Sequence, residues 1–185
     1  MQNKNQLIRQ ALMKERWKLL PSVKVQCDHL IYKKLLQTIL LRNPTQKYVA
    51  AYWPIENEVD TIALIDSLLL RDVKVCIPYI KKNKMVFKPI TSINFEYEYW
   101  KSMRQPNTPV EIKGEDIKIM LIPMIGFSDK KKRLGFGFNH YNDYLTAHNK
   151  IFTIGLAYAL QQSDTFVTTS RDKILDMIIT EKRTI

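Results

Sequence analysis

Apolar positions along this chain switch between helical and strand spacing, and the switching is that of an α/β protein. Over residues 6–20, Leu7, Ile8, Ala11, Leu12, Leu19 and Leu20 fall near a helical period, and Pro21 stops the run. Ser22 is placed to cap a second helix with the stripe Leu30, Ile31, Leu35, Ile39 and Leu40, which Asn43-Pro44 closes. Tyr48-Val49-Ala50-Ala51-Tyr52 reads as a buried strand that leaves through Trp53-Pro54. A helix over 59–70, capped by Asp60 or Thr61, and a strand over 73–77 stopped by Pro78 complete a strand–helix–strand unit. Such units close right-handed around a parallel sheet.

Farther along, Lys84-Met85-Val86-Phe87-Lys88 alternates like a strand behind the basic turn Lys81-Lys82-Asn83-Lys84. Residues 91–116, with Pro106, Pro109 and Gly114, show no clean period and are expected to form an ordered loop region. Strands return at 117–122, 151–157 and 174–179, with a helix ending near His148 between the first two. No repeat, low-complexity tract or linker interrupts the 185 residues. The pattern predicts one domain over 1–185, a three-layer α/β fold with an open, mostly parallel sheet and helices on both faces.

Composition narrows the class. With 45% hydrophobic and 25% charged residues the chain reads as globular, and its longest apolar runs are far too short to span a bilayer. No hydrophobic run follows a basic start, and Cys27 and Cys76 stand alone, so reduced thiols in a cytoplasmic protein are expected. The net charge of +11 favours anionic partners. No helix interleaves a basic face with aromatics, so charge does not establish nucleic-acid binding. We expect a monomer with a small-molecule substrate and with neither nucleic-acid nor membrane partners.

The chemistry is expected at the carboxyl ends of the parallel strands. Three segments leave them with reactive side chains: Trp53-Pro54-Ile55-Glu56-Asn57-Glu58-Val59-Asp60, the loop over 126–141, and Ala157-Tyr158-Ala159-Leu160-Gln161 followed by Thr169-Ser170-Arg171-Asp172. In the second, the apolar run Ile119-Met120-Leu121-Ile122-Pro123 leads through Lys130-Lys131-Lys132 into Arg133-Leu134-Gly135-Phe136-Gly137-Phe138-Asn139-His140-Tyr141-Asn142-Asp143. A strand, a loop with cations and two glycines, then an amphipathic helix is how α/β proteins hold phosphate.

Taken in order, Ala50-Ala51-Tyr52-Trp53-Pro54, Asn57-Glu58-Val59-Asp60-Thr61, Met103-Arg104-Gln105-Pro106, Arg133-Leu134-Gly135-Phe136-Gly137 and Ile154-Gly155-Leu156-Ala157-Tyr158 resemble the 5-formyltetrahydrofolate cyclo-ligases over nearly the whole length. The resemblance implies an ATP-dependent closure of 5-formyltetrahydrofolate to 5,10-methenyltetrahydrofolate through a phosphorylated formyl oxygen, with Mg2+ as counterion. It implies catalytic roles for Arg133 and Glu58. It also implies folate contacts from Trp53, Glu58, Met103, Gln105 and Tyr141. For ATP it implies Lys4, Asn5, Arg9, Arg133, Leu134, Gly135, Phe136, Gly137, Phe138, Asn139, His140 and Tyr141, and for the metal Asn142 and Asp172.

The loop departs from the family pattern. Asn139 stands for a third glycine, Phe138 brings no cation, His140 occupies a tyrosine position, and Arg171 replaces the histidine before Asp172. Asn142 sits at the family's magnesium-binding aspartate, and an amide oxygen brings no charge. Asp143 is one residue on, about a hundred degrees around a helix. Two readings therefore stand: an active cyclo-ligase, or a non-catalytic folate- or nucleotide-binding relative with a drifted phosphate loop.

Overall fold

A computed structural model describes residues 2–42, 44, 46–170 and 172–185. The chain runs α1 (Gln2–Trp17), α2 (Pro21–Leu41), β1 (Tyr48–Ala50), α3 (Ile62–Leu69), β2 (Val75–Lys81), β3 (Lys84–Ile90), β4 (Tyr97–Trp100), β5 (Met103–Pro106), β6 (Ile117–Pro123), β7 (Gly126–Phe127), β8 (Arg133–Leu134), α4 (His140–Ala147), β9 (Phe152–Leu156) and β10 (Met177–Ile179). Six strands form one sheet in the order β10-β9-β6-β1-β2-β3, all parallel except for the antiparallel edge strand β3. On one face Ile31, Leu35 and Ile39 of α2 and Leu64, Ile65 and Leu68 of α3 pack on Val49, Val75, Ile119 and Ile154. On the other, Leu145 of α4 packs with Ala50, Cys76, Met120 and Ile178. Alternate residues of each strand thus feed two cores, and the three-layer, mostly parallel architecture follows from that alternation.

Several boundaries differ from the sequence expectation. Pro21 opens α2 as well as ending the first run, because its missing N–H is one that no helix start uses. The closing Asn43 lies outside the described residues. β2 continues through Pro78, since β1 pairs only with Val75 and Cys76 and the proline nitrogen faces no partner strand. Its turn to β3 uses Lys82 and Asn83, both left-handed at φ 44° and 65°. Within 91–116 the chain forms the β4–β5 hairpin with Trp100 opposite Met103. Its signal was present as Phe95, Tyr97 and Tyr99 alternating with Glu96 and Glu98, and the rings stack edge-on at 6.1 and 5.3 Å. The last strand starts at Met177, because Asp176 turns back to accept from the backbone and hydroxyl of Thr153, both at 2.7 Å. Among the described residues no helix is long and apolar enough to cross a membrane.

Candidate active site

Where β1, β2 and β6 end, Tyr52, Trp53, Pro78, Ile80 and Pro123 wall a cavity of about 620 Å³. α1 closes one side of it with a polar face. Asn5 exchanges a pair of hydrogen bonds with the Val167 backbone, at 2.7 and 2.9 Å. One turn on, Arg9 Nε donates to the Gly135 carbonyl at 2.7 Å. Arg16, 1% exposed, donates from Nη2 to the Glu56 carbonyl at 2.7 Å. These positions share one helix face with Leu12, whose side chain lies against Gly126. Leu7, by contrast, is 61% exposed.

The segment after β1 is a tight turn built around Glu58. Glu56 and Asn57 are both left-handed, at φ 48° and 62°. The Glu58 N–H donates to the Ile55 carbonyl at 2.9 Å, while the Ile55 N–H donates to Glu58 Oε2 at 3.1 Å. Tyr158, itself bonded to Asp28 at 2.7 Å, holds the Glu58 carbonyl at 3.2 Å. Glu58 is 4% exposed, and its Oε1 has no partner among the described residues. Burial pushes its carboxyl up to about 7, against the pull of the Ile55 N–H and the Arg16 cation. A buried carboxylate oxygen without a donor is costly, and an incoming N–H would satisfy it.

Opposite lies the glycine loop. β7 and β8 form a short hairpin from which Gly135 to Asn139 emerge. Gly137 takes φ +99°, which a side chain would strain, with the Arg9 guanidinium directly beyond it. Asn139 serves as the left-handed residue before α4, at φ 59°, and no side chain caps the first turn of that helix. The loop thus presents cations and first-turn helix amides to one space, the arrangement that binds an anion. Arg133 Nη2 donates to Asn142 Oδ1 at 3.2 Å, and Asn142 Nδ2 donates to Asp172 Oδ1 at 2.8 Å. Asp172 Oδ2 accepts from the backbone and hydroxyl of Thr169 at 2.7 and 3.0 Å. Tyr141 lies against Arg133, its ring centroid 5.3 Å away, and burial followed by the Glu58 charge raises its phenol above the ordinary value.

A buried acid and a cationic glycine loop line one cavity, and comparison with known proteins gives the family. The sequence profile of the 5-formyltetrahydrofolate cyclo-ligase family matches residues 1–181. The chain belongs to that family. It is 32% identical over 181 residues to the 5-formyltetrahydrofolate cyclo-ligase of Mycoplasma genitalium, covering 97% of this chain and 98% of the relative. It is 31% identical to the Mycoplasma pneumoniae enzyme, covering 97% and 99%. Among solved structures, a 5,10-methenyltetrahydrofolate synthetase from Mycoplasma pneumoniae superposes with a TM-score of 0.78 at 26% identity, over 96% of this chain and 98% of that one. The Aquifex aeolicus synthetase, at 23% identity and a TM-score of 0.85 over 97% and 91%, shares the fold.

Set against the expectations of a cyclo-ligase, the cavity gathers Asn5, Arg9, Trp53, Glu58, Met103, the loop from Arg133 through Leu134, Phe136, Phe138 and His140 to Asn142, and Asp172. Lys4 is exposed and outside the lining. Gln105 is buried away from it: its Oε1 accepts from the Ile80 N–H at 2.9 Å and its Nε2 donates to Glu98 at 3.2 Å, which ties the hairpin to β2. Arg171 lies outside the described residues. Sequence reasoning did not single out Arg16, Trp100 or Lys101, and it named Tyr52 and Thr169 only within longer segments; all five hold or line the site. Among the described residues no group of three or more His, Cys, Asp or Glu could hold a metal. Asn142 Oδ1 accepts from Arg133, and the two Asp172 oxygens accept from Asn142 and Thr169.

Proposed function

We propose that the chain uses ATP to convert 5-formyltetrahydrofolate into 5,10-methenyltetrahydrofolate, ADP and phosphate. The observation that carries this reading is the unpartnered oxygen of buried Glu58, which shares one cavity with Arg9, Arg133 and the glycine loop. Glu58 accepts from the N–H edge of the pterin ring, with Trp53 and Met103 along the ring system. Binding there supplies the donor that Oε1 lacks and draws the carboxyl back toward its charged form.

ATP then lies with its phosphates against Gly135 to His140. The formyl oxygen attacks the terminal phosphorus and ADP leaves, giving an iminophosphate. The second amine nitrogen attacks the activated carbon, loses its proton, and phosphate departs. An amide-like oxygen leaves poorly and a phosphate leaves well, so the protein's work is to align two substrates and to balance charge. Arg133 faces that charge, oriented by Asn142 and Asp172. Magnesium, in this reading, comes with the nucleotide's phosphates and is not held in a cage of side chains.

The test is the near-ultraviolet absorbance of the methenyl product when purified protein meets 5-formyltetrahydrofolate, ATP and magnesium. Growth of that band supports the reading, and its absence while folate binds calorimetrically refutes turnover. Arg133→Ala is expected to lower kcat at least a hundredfold, the scale on which preorganised charge acts.

A further inference from the structure

The β4–β5 hairpin carries a cation that the folate and glycine-loop assignments leave without a role. Its two-residue tip, Lys101-Ser102, leans over the loop, and Lys101 lines the cavity. The Lys101 ammonium lies 3.9 Å from the Phe138 ring centroid and 4.7 Å from that of Trp100. Trp100 in turn meets Phe138 edge-on at 6.1 Å. Among the described residues Lys101 has neither a hydrogen-bond nor a carboxylate partner, whereas Arg9 Nε donates to the Gly135 carbonyl and Arg133 Nη2 to Asn142. Lys101 also holds φ +54°, a conformation that glycine or asparagine adopts at lower cost.

Two features leave the Lys101 charge available at the cavity mouth. Phe138 belongs to the glycine loop and leaves 54% of itself exposed, so its ring seats the ammonium more than it fills a core. A lysine held at a cavity mouth over aromatic faces, with no acid beside it, keeps its charge available for an incoming anion.

We propose that Lys101 contacts the terminal phosphates of the nucleotide, brought over the loop by the hairpin tip and seated there by Phe138. The proposal rests on the nucleotide reading above. It supplies from another element the cation that position 138 itself does not bring.

Lys101→Gly tests it, because glycine accepts the φ of this turn and the fold survives the change. The expected result is a rise of about tenfold in KM for ATP and in its calorimetric Kd, as for loss of one charged contact. KM for 5-formyltetrahydrofolate stays within roughly twofold, since only the contact with the other substrate is lost. Phe138→Lys added to Lys101→Gly is expected to restore most of the ATP affinity. An unchanged ATP KM, or a rise confined to the folate, overturns the proposal. If the unaltered protein binds no ATP at all, the nucleotide reading falls with it. If it binds ATP equally with and without the Lys101 side chain, only this proposal falls.

Discussion

Asn142→Asp is the most informative single change, because it exchanges one oxygen-for-nitrogen group at the centre of the Arg133–Asn142–Asp172 chain. The amide now donates to Asp172 at 2.8 Å and accepts from Arg133 at 3.2 Å. A carboxylate cannot donate, so the first bond becomes a contact between like charges. At an effective dielectric of about 20, unit charges at 2.8 Å repel by about 6 kcal/mol and opposite charges at 3.2 Å attract by about 5 kcal/mol. The two nearly cancel, and what remains is chiefly the lost charge-assisted hydrogen bond, roughly 1.5–3 kcal/mol. For a chain of this size a loss of about 2 kcal/mol lowers Tm by about 4–8 °C.

Magnesium should reverse the deficit in the variant alone. Two adjacent carboxylates offer a divalent cation what the amide pair does not, and binding at a concentration ten times Kd returns about 1.4 kcal/mol. The sign with pH agrees. One carboxylate of the new pair is raised above its unfolded value, so its stabilising share is present at low pH and is lost as pH rises through the folded value. Thermal melts without magnesium and with magnesium at about ten times its Kd, at about pH 5 and pH 8, measure all three effects without any turnover. A variant as stable as the parent at pH 8 and indifferent to magnesium would show that the amide bridge is not there.

Further outcomes follow from the same geometry. Glu58 is raised to about 7 from an unfolded value of 4.5, so its share of stability is full below about pH 4.5 and is lost as pH rises through 7, on the order of 3 kcal/mol in all; Glu58→Gln should flatten that limb of the melt-versus-pH curve and weaken folate binding. Arg16→Met strands the Glu56 carbonyl and removes the cation that restrains Glu58, and calorimetry should show a loss of about 2–4 kcal/mol together with a higher folate KM. Gln105→Met leaves the Ile80 N–H without its acceptor; about 1–3 kcal/mol of stability should go, while kcat per folded molecule changes little, in contrast to a residue that touches folate.

The parallel sheet was legible because its evidence is periodic. Buried strands such as β6 carry runs of Ile, Met and Leu, here over 119–122, and α2 repeats its apolar residues at 31, 35 and 39. The glycine loop was legible from order and spacing. Arg16 was not, because a buried guanidinium in a charged helix breaks no apolar pattern, and its partners Glu56 and Met124 lie 40 and 108 residues away. The role of Gln105 in pinning the hairpin was hidden for the same reason: its partner is on β2, 25 residues earlier. The hairpin itself did have a signal, the alternation of aromatic and acidic residues, which the prolines nearby masked.

The departures over 138–143 carry a different weight once their neighbours are known. A loop that had merely drifted would lose its partners independently, leaving strained backbone and orphaned buried groups. Here Asn139 takes the left-handed φ of 59° that a glycine would otherwise supply. Asn142 satisfies its amide at both ends, toward Arg133 and Asp172. Phe138 receives the Lys101 ammonium from a separate element. Among the described residues His140 Nε2 is the one side-chain atom of this segment left buried without a partner, and burial already lowers the ring's affinity for a proton. The changes at 138, 139 and 142 are thus each accommodated, by the Lys101 ammonium, by a left-handed backbone and by a neutral amide bridge between Arg133 and Asp172, and the first turn of α4 keeps its place without a third glycine.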